Sequence, residues 1–357
     1  MPKDSASPDD GVLDPQDAAR SIGLTHVGPD AEGYGRRGCG RGFSYLHPDG
    51  TTIRDKALRR RLEALAIPPA WREVWIATDP RGHIQATGRD ARGRKQYVYH
   101  PEFRALRDAA KYDHMLEFAA ALPDIRDRVD ADMGRRGLGF DRIAATVVHL
   151  LERSLIRVGN ARYARENRSH GLTTLREKHV DLKGSRIRFR FRGKSGKEWD
   201  LRLTDRRVAR VIRNLQDIPG QHLFQYLDED GTRRAITSGE VNDYLRRISG
   251  RDVSAKDFRT WTGTVLAALA LAECAREDSR AACDRTLRGV IDEVAARLGN
   301  TPAICRKCYV HPAVIDAWLA DELVLEIRDR IDSDLAGKGL DPDERKVLQF
   351  LRRRLDP

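Results

Sequence analysis

SRIRFRFRGKSGKEWDLRL, residues 185–203, decides what kind of fold the rest of the chain builds. Ile187, Phe189 and Phe191 alternate with Arg186, Arg188, Arg190 and Arg192. Period-two alternation sends successive side chains to opposite faces, so this strand has one apolar and one cationic face. Gly193-Lys194-Ser195-Gly196 reads as a turn, and Trp199, Leu201 and Leu203 then resume the alternation. A β-hairpin with Lys194 at its tip is expected. The segments around it repeat at helical spacing instead. Ile143, Val147, Leu150, Leu151 and Leu155 precede it; Val208, Val211, Ile212 and Leu215, then Val265, Leu266, Leu269 and Leu271, follow it. The hairpin is a β island in a mainly helical domain.

Toward the N-terminus the pattern changes. Residues 21–104 read mostly as strands and turns, with one helix over 56–66 carrying Leu58, Leu62 and Leu65. Val74–Thr78 and His83–Thr87, separated by Asp79-Pro80-Arg81-Gly82, predict a second hairpin. Residues 96–99 are a further extended stretch. Residues 1–20 are rich in Asp, Pro and Ser and predict a disordered tail. The expected class is α+β. A small β-rich lobe over 21–104 precedes a larger, mainly α-helical domain over 105–357 that carries a small β element.

Charge narrows the partner. The 357 residues carry a formal net charge of +11. Residues 1–30 hold two Lys or Arg against six Asp, whereas residues 31–104 hold fifteen against eight acids. Basic blocks behind an acidic start suit a polyanion. No apolar run approaches the ~18 residues that span a bilayer, and the start lacks a secretory stretch. A cytoplasmic protein with reduced thiols is expected. Cys305 and Cys308 form one CxxC without a second pair at zinc spacing, so no metal is expected.

Four stretches carry chemistry. In Asn300–Tyr309, Thr301 can cap a helix whose first residue is Pro302, which puts Tyr309 near its end beside Arg306 and Lys307. Neighbouring cations lower the cost of a phenolate, which a nucleophilic tyrosine needs. In Lys256–Trp261, a capping box of Ser254 and Asp257 sets Arg259 in the first turn or so of a long helix. A guanidinium can hold two phosphate oxygens at once. Arg157 is expected where a long helix ends, terminated by Gly159 or Asn160. Lys194 can present an ammonium from a turn as a proton donor, with Lys197 its local competitor. Each has an ordinary reading as well: a core tyrosine, surface ion-pairing arginines, a solvated turn lysine.

Their order through one helical domain is more specific than any of them. IRVGNARYARENRSHGLTTLREKHV (156–180), FRGKSGKEWD (191–200), KDFRTWTGT (256–264) and NTPAICRKCY (300–309) together resemble the type IB DNA topoisomerases, in their compact bacterial and poxvirus-like branch. IPPAWREVWI (67–76) and GHIQATGRDARGRKQYVYHP (82–101) are similar to the N-terminal block of that branch. The resemblance covers nearly everything after residue 20.

That resemblance implies an isomerase that relaxes supercoils of both signs by nicking one strand and resealing it. Tyr309 would be the nucleophile forming a 3′-phosphotyrosyl bond, Arg157 and Arg259 the clamps on the phosphate, and Lys194 the general acid. Asn300 stands where many relatives have histidine, and its amide can still donate to a phosphate oxygen. Arg89, Arg92, Arg94, Lys95, Gln96, Tyr97, Tyr99 and Lys256 would touch DNA. The partner implied is double-stranded DNA in the nucleoid, held by a monomer as a C-clamp, with no membrane, metal, ATP or other cofactor. The chain has no GxxxxGK[ST] phosphate loop. Two alternatives remain: a tyrosine site-specific recombinase, which usually shows His where Lys256 stands, and a non-enzymatic DNA-binding protein.

Overall fold

The computed structural model describes residues 14–28, 30–40, 42–217, 220–325 and 339–355. It is α+β, and the chain divides into two compact units at His114/Met115. The division falls inside one long helix, α3 (Pro101–Met133).

The first unit is a five-stranded antiparallel sheet in the order β2-β1-β3-β4-β5. The strands are β1 (Gly33–Cys39), β2 (Gly42–Leu46), β3 (Arg72–Ala77), β4 (Ile84–Arg89) and β5 (Lys95–Tyr99). β3 and β4 pair antiparallel, as the hairpin reading requires. Helix α2 (Lys56–Ala64) follows an Asp55 cap and buries Leu62. Leu62 joins Tyr45, Ile53, Val74, Ile76 and Ala86 in a small core.

The expected tail needs correcting at its end. Residues 1–13 lie outside the described ones, but Pro15–Ser21 form helix α1. The Asp14 carboxylate accepts from the Gln16 and Asp17 amides, and Ala18 and Ala19 pack with Leu24 and Phe103. Two buried alanines and a cap suffice where composition alone suggested disorder.

The second unit is built on helices α4 (Phe140–Ser154), α7 (Ser238–Ser249), α8 (Ala255–Ala272) and α9 (Arg280–Leu298) around one large core. The β island is three-stranded, in the order β6 (Val180–Lys183), β7 (Arg186–Arg192), β8 (Glu198–Thr204). Ile187, Phe189 and Phe191 face the core, and the arginines between them face out. Short α5 (Ala161–Asn167) and α6 (Arg206–Gln216) flank it, and β9 (Gln225–Leu227) pairs with β10 (Arg233–Ala235). Helices α10 (Pro302–Cys308), α11 (Pro312–Leu319) and α12 (Pro342–Leu355) close the unit. Among the described residues no helix is long and apolar enough to cross a membrane.

Candidate active site

The ends of four helices bring four chemistry-bearing side chains to one place. The first is the end of α4. It stops at Ser154, earlier than the expected Gly159 or Asn160, because Leu155 turns left-handed at φ 57°. The Ser154 hydroxyl then takes the Ile156 amide. Such a φ costs a branched side chain on the order of 1 kcal/mol or more. It sends residues 156–160 out as an extended strap, and Asn160 starts α5 instead of ending α4, its side chain accepting from the Tyr163 amide. The strap is fastened along its backbone. Leu172 and Thr173 amides donate to the Arg157 and Val158 carbonyls at 2.9 and 2.7 Å. Gly171 makes this fit possible, because a methyl there would stand 2.5 Å from the Arg157 carbonyl oxygen.

The second is the first turn of α8. Ser254 and Asp257 form the expected capping box. Arg259 is only 4% exposed. Its terminal nitrogens donate to the carbonyls of Leu155 and Leu298, so one guanidinium ties the end of α4 to the end of α9. The third is the stop of α9. Gly299 takes φ 63°, and Gly299 and Asn300 amides cap the helix onto Ala296 and Ala295. The Arg157 guanidinium donates to the Gly299 carbonyl at 3.3 Å from both terminal nitrogens, and also to the Asn300 side-chain oxygen.

Tyr309 completes the group. Thr301 and Pro302 start α10 as expected, and Tyr309 is its C-cap residue, its amide bonded to the Cys305 carbonyl. The Arg259 guanidinium lies 5.3 Å from the centroid of its ring. The tyrosine's peptide is bracketed by Thr264 of α8. That hydroxyl donates to the Tyr309 carbonyl at 3.3 Å and accepts from the His311 amide at 3.1 Å. Gly263, one residue earlier, lets α8 and the Tyr309 backbone touch: a methyl there would sit 2.5 Å from the Tyr309 carbonyl oxygen.

Two cations packed this closely oppose each other. Burial pushes the Arg259 pKa down to about 10, the Arg157 charge adds to the fall, and the Tyr309 phenol opposes it by charge and hydrogen bonding. Burial also lowers Arg157, with Tyr309 again opposing. The Cys305 thiol is buried and pushed up to about 11 by that burial, although Arg259 pulls the other way. The site has surplus positive charge and donors to spare. The Arg259 Nε and the Asn300 Nδ2 are buried without a hydrogen-bond partner. Buried donors without a partner are costly, and an anion is the kind of group that can satisfy them.

Lys194 lies exposed at the tip between β7 and β8. The tip end of its hairpin is held against α9. The Lys197 ammonium donates to the Ala296 carbonyl of α9 at 3.1 Å. Trp199 stacks on Phe191 with centroids 5.9 Å apart and covers Gly299, where a methyl would meet its ring at 2.6 Å. The rival lysine therefore serves as an anchor. Sequence reasoning missed Trp199, Thr264 and Gly263; a lone glycine within the apolar run of α8 was the one signal available.

Two families match this chain. Eukaryotic DNA topoisomerase I, catalytic core, matches residues 100–323, and Bacterial DNA topoisomerase IB, N-terminal domain, matches residues 42–90. The DNA topoisomerase 1B of Acanthamoeba polyphaga mimivirus is 30% identical over 286 residues, which is 78% of this chain and 85% of that protein. The chain belongs to the type IB DNA topoisomerases. The DNA topoisomerase 1 of rabbit fibroma virus (strain Kasza) is 24% identical over 68% of this topoisomerase and 74% of its own length. The DNA topoisomerase 1B of vaccinia virus (strain Copenhagen) is 21% identical over 64% and 70%. This topoisomerase is thus an isomerase with DNA as substrate, and the recombinase and non-enzymatic alternatives fall away.

The remaining candidates of the topoisomerase lie elsewhere. Lys256 is exposed on the first turn of α8. In the first unit, Arg89 bonds Glu73 at 2.8 Å and the Gly93 carbonyl at 3.0 Å. Asp90 gathers the 90–96 turn: it pairs with Arg94 at 2.6 Å and accepts from the Arg92 amide and the Gln96 side chain. The Arg94 hydrogen bond holds the Asp90 carboxyl down at about 2. Along β5, Tyr97 and Tyr99 stack at 5.9 Å with Lys95 over the Tyr97 ring, while Val98 on the other face joins the core. Arg92 keeps an exposed side chain.

Proposed function

We propose that the enzyme relaxes supercoiled DNA of either sign through a transient 3′-phosphotyrosyl bond made by Tyr309. The observation that carries this is the buried Arg259 guanidinium over the Tyr309 ring, with the half-buried Arg157 joined to Asn300 and two buried donors, Arg259 Nε and Asn300 Nδ2, left unfilled. The Tyr309 oxygen attacks the scissile phosphorus and its proton passes to bulk water. Negative charge grows on the non-bridging oxygens, which Arg157, Arg259 and the Asn300 amide take as hydrogen-bond acceptors. Fixed donors in a water-poor site need little reorganisation, and losing one typically costs ~10²–10³-fold in rate. The bond to the 5′-oxygen breaks, and that oxygen takes a proton from Lys194. The free end then rotates about the intact strand, and the reverse attack reseals it. One phosphodiester is exchanged for another, so ATP is not required. The arginines supply the positive charge that a metal supplies in other phosphoryl-transfer sites.

The β5 face with Lys95, Tyr97 and Tyr99, the exposed Arg92, the ion-paired Arg89 and Arg94, and Lys256 form the proposed DNA contacts. A monomer that clamps duplex DNA in the nucleoid completes the reading. The test is Tyr309→Phe with supercoiled plasmid in EDTA and without ATP. Wild type relaxes the plasmid and leaves a denaturant-stable protein–DNA adduct on the peptide containing residue 309. The variant binds DNA and does neither. Relaxation by the variant, or an adduct on another residue, removes the proposal.

A further inference from the structure

The matched catalytic core ends at residue 323, and α12 (Pro342–Leu355) lies beyond it. Yet α12 is woven into the scaffold of the site. Leu340, Val347, Leu348 and Leu351 are buried in the main core. Arg354 pairs with Glu322, just past α11. The polar centre of the contact is Glu344. Its Oε1 accepts from the Trp261 indole at 3.0 Å and from Arg126 at 2.9 Å, and its Oε2 accepts from Arg126 at 2.8 Å. Arg126 turns its other edge to Glu152 of α4, with Nε to Oε1 at 2.7 Å, and also donates to the Gly339 carbonyl. Gly339, at φ 97°, rests on Pro123 of α3, where a methyl would meet the ring at 3.1 Å.

Position along the helices gives this cluster its meaning. Trp261 follows Arg259 by two residues on α8. Glu152 precedes Leu155 by three on α4, and the Leu155 carbonyl is what Arg259 grips. We propose that Glu344 of the C-terminal helix is a positioning residue that sets the spacing of α4 and α8, and through it the spacing of Arg157 and Arg259. This rests on the proposed role of those arginines. Burial works against the Arg126 charge, but hydrogen bonds and charge from Glu344 and Glu152 outweigh it and raise its pKa, so the guanidinium stays charged. A bidentate charged bridge fixes both distance and angle, whereas an apolar contact fixes neither.

The test measures single-turnover adduct formation at saturating DNA in the full chain, for Glu344→Ala, Glu344→Gln and Trp261→Phe. A misplacement of about 1 Å costs roughly 100-fold, so Glu344→Ala is expected to slow adduct formation by at least about tenfold while DNA affinity holds. Glu344→Gln keeps an oxygen for Trp261 and should recover part of the rate. The double variant of Glu344→Ala with Trp261→Phe should be no slower than Glu344→Ala, because both remove one linkage. Melting curves place every assay well below unfolding. Wild-type rates in both Glu344 variants, or losses that simply multiply in the double variant, overturn the inference. Arg259→Ala runs alongside. If it too reacts at the wild-type rate, the proposed chemistry is what fails; if it alone is slow, only the role of Glu344 fails.

Discussion

Gly263→Ala tests the placement of Tyr309, with a lesser contact on Leu298 at 3.1 Å. The added methyl would stand 2.5 Å from the Tyr309 carbonyl oxygen and 3.0 Å from its Cβ. Carbon–oxygen contacts settle at about 3.3 Å and carbon–carbon contacts at about 3.5–4.0 Å. Relief therefore requires a shift of about 0.5–1 Å. The tyrosine must take it, because the methyl stands on the rigid, buried side of α8. A displacement of that size costs roughly 10- to 100-fold in a step that needs an aligned nucleophile. Stability should fall moderately. Replacing a helical glycine by alanine gains about 1 kcal/mol, and overpacking takes back about 1–3 kcal/mol. The net loss, at most about 2 kcal/mol, lowers the melting temperature of a unit this size by several degrees. The assay is the rate of covalent adduct formation at saturating DNA, read on a denaturing gel. Gly289→Ala is the control: it lies on α9, and a methyl there meets nothing within 4 Å. It should stabilise the protein and leave adduct formation unchanged. Wild-type adduct formation by Gly263→Ala would refute the reasoning.

Three further outcomes are expected. Gly299→Ala combines a φ of 63° with a methyl 2.6 Å from the Trp199 ring, so it should destabilise by about 1–3 kcal/mol in chemical denaturation and slow adduct formation by moving both Asn300 and the Lys194 hairpin. His83 is buried, and that burial, helped by His26, lowers its pKa from 6.5 to about 4. As pH falls from 6.5 toward 4 the unfolded chain takes a proton that the folded one refuses, so stability drops by on the order of 1–2 kcal/mol between pH 6.5 and 5 and levels off below 4. Urea midpoints across that range check this, and His83→Asn should flatten the curve. DNA affinity should fall steeply on a plot of log K against log salt, since many phosphates are neutralised at once, and a flat response would count against the basic surfaces as DNA contacts.

Much of the fold was legible because periodicity is a local property. The arginine–apolar alternation of 186–192 specified a strand, and Thr301-Pro302 and Ser254–Asp257 specified where α10 and α8 begin. Local patterns failed where a distant group decided the outcome. The end of α4 was read too late, since a left-handed Leu155 carries no sequence signal and its carbonyl is engaged by Arg259 from 104 residues away. Residues 15–20 were read as tail because two buried alanines do not look like a core until Phe103 covers them.

The same division applies to the site. Residue types and their order along the chain determined which side chains can hold a phosphate and which can attack it, for those capacities belong to a guanidinium or a phenol wherever it stands. Only the tertiary structure decided that Arg157 reaches Asn300, that Arg259 lies over Tyr309, that Lys197 anchors and Lys194 stays at the tip, and that Glu344 joins the scaffold. Those contacts span sequence gaps of up to 218 residues and depend on close packing, which a linear pattern does not encode position by position.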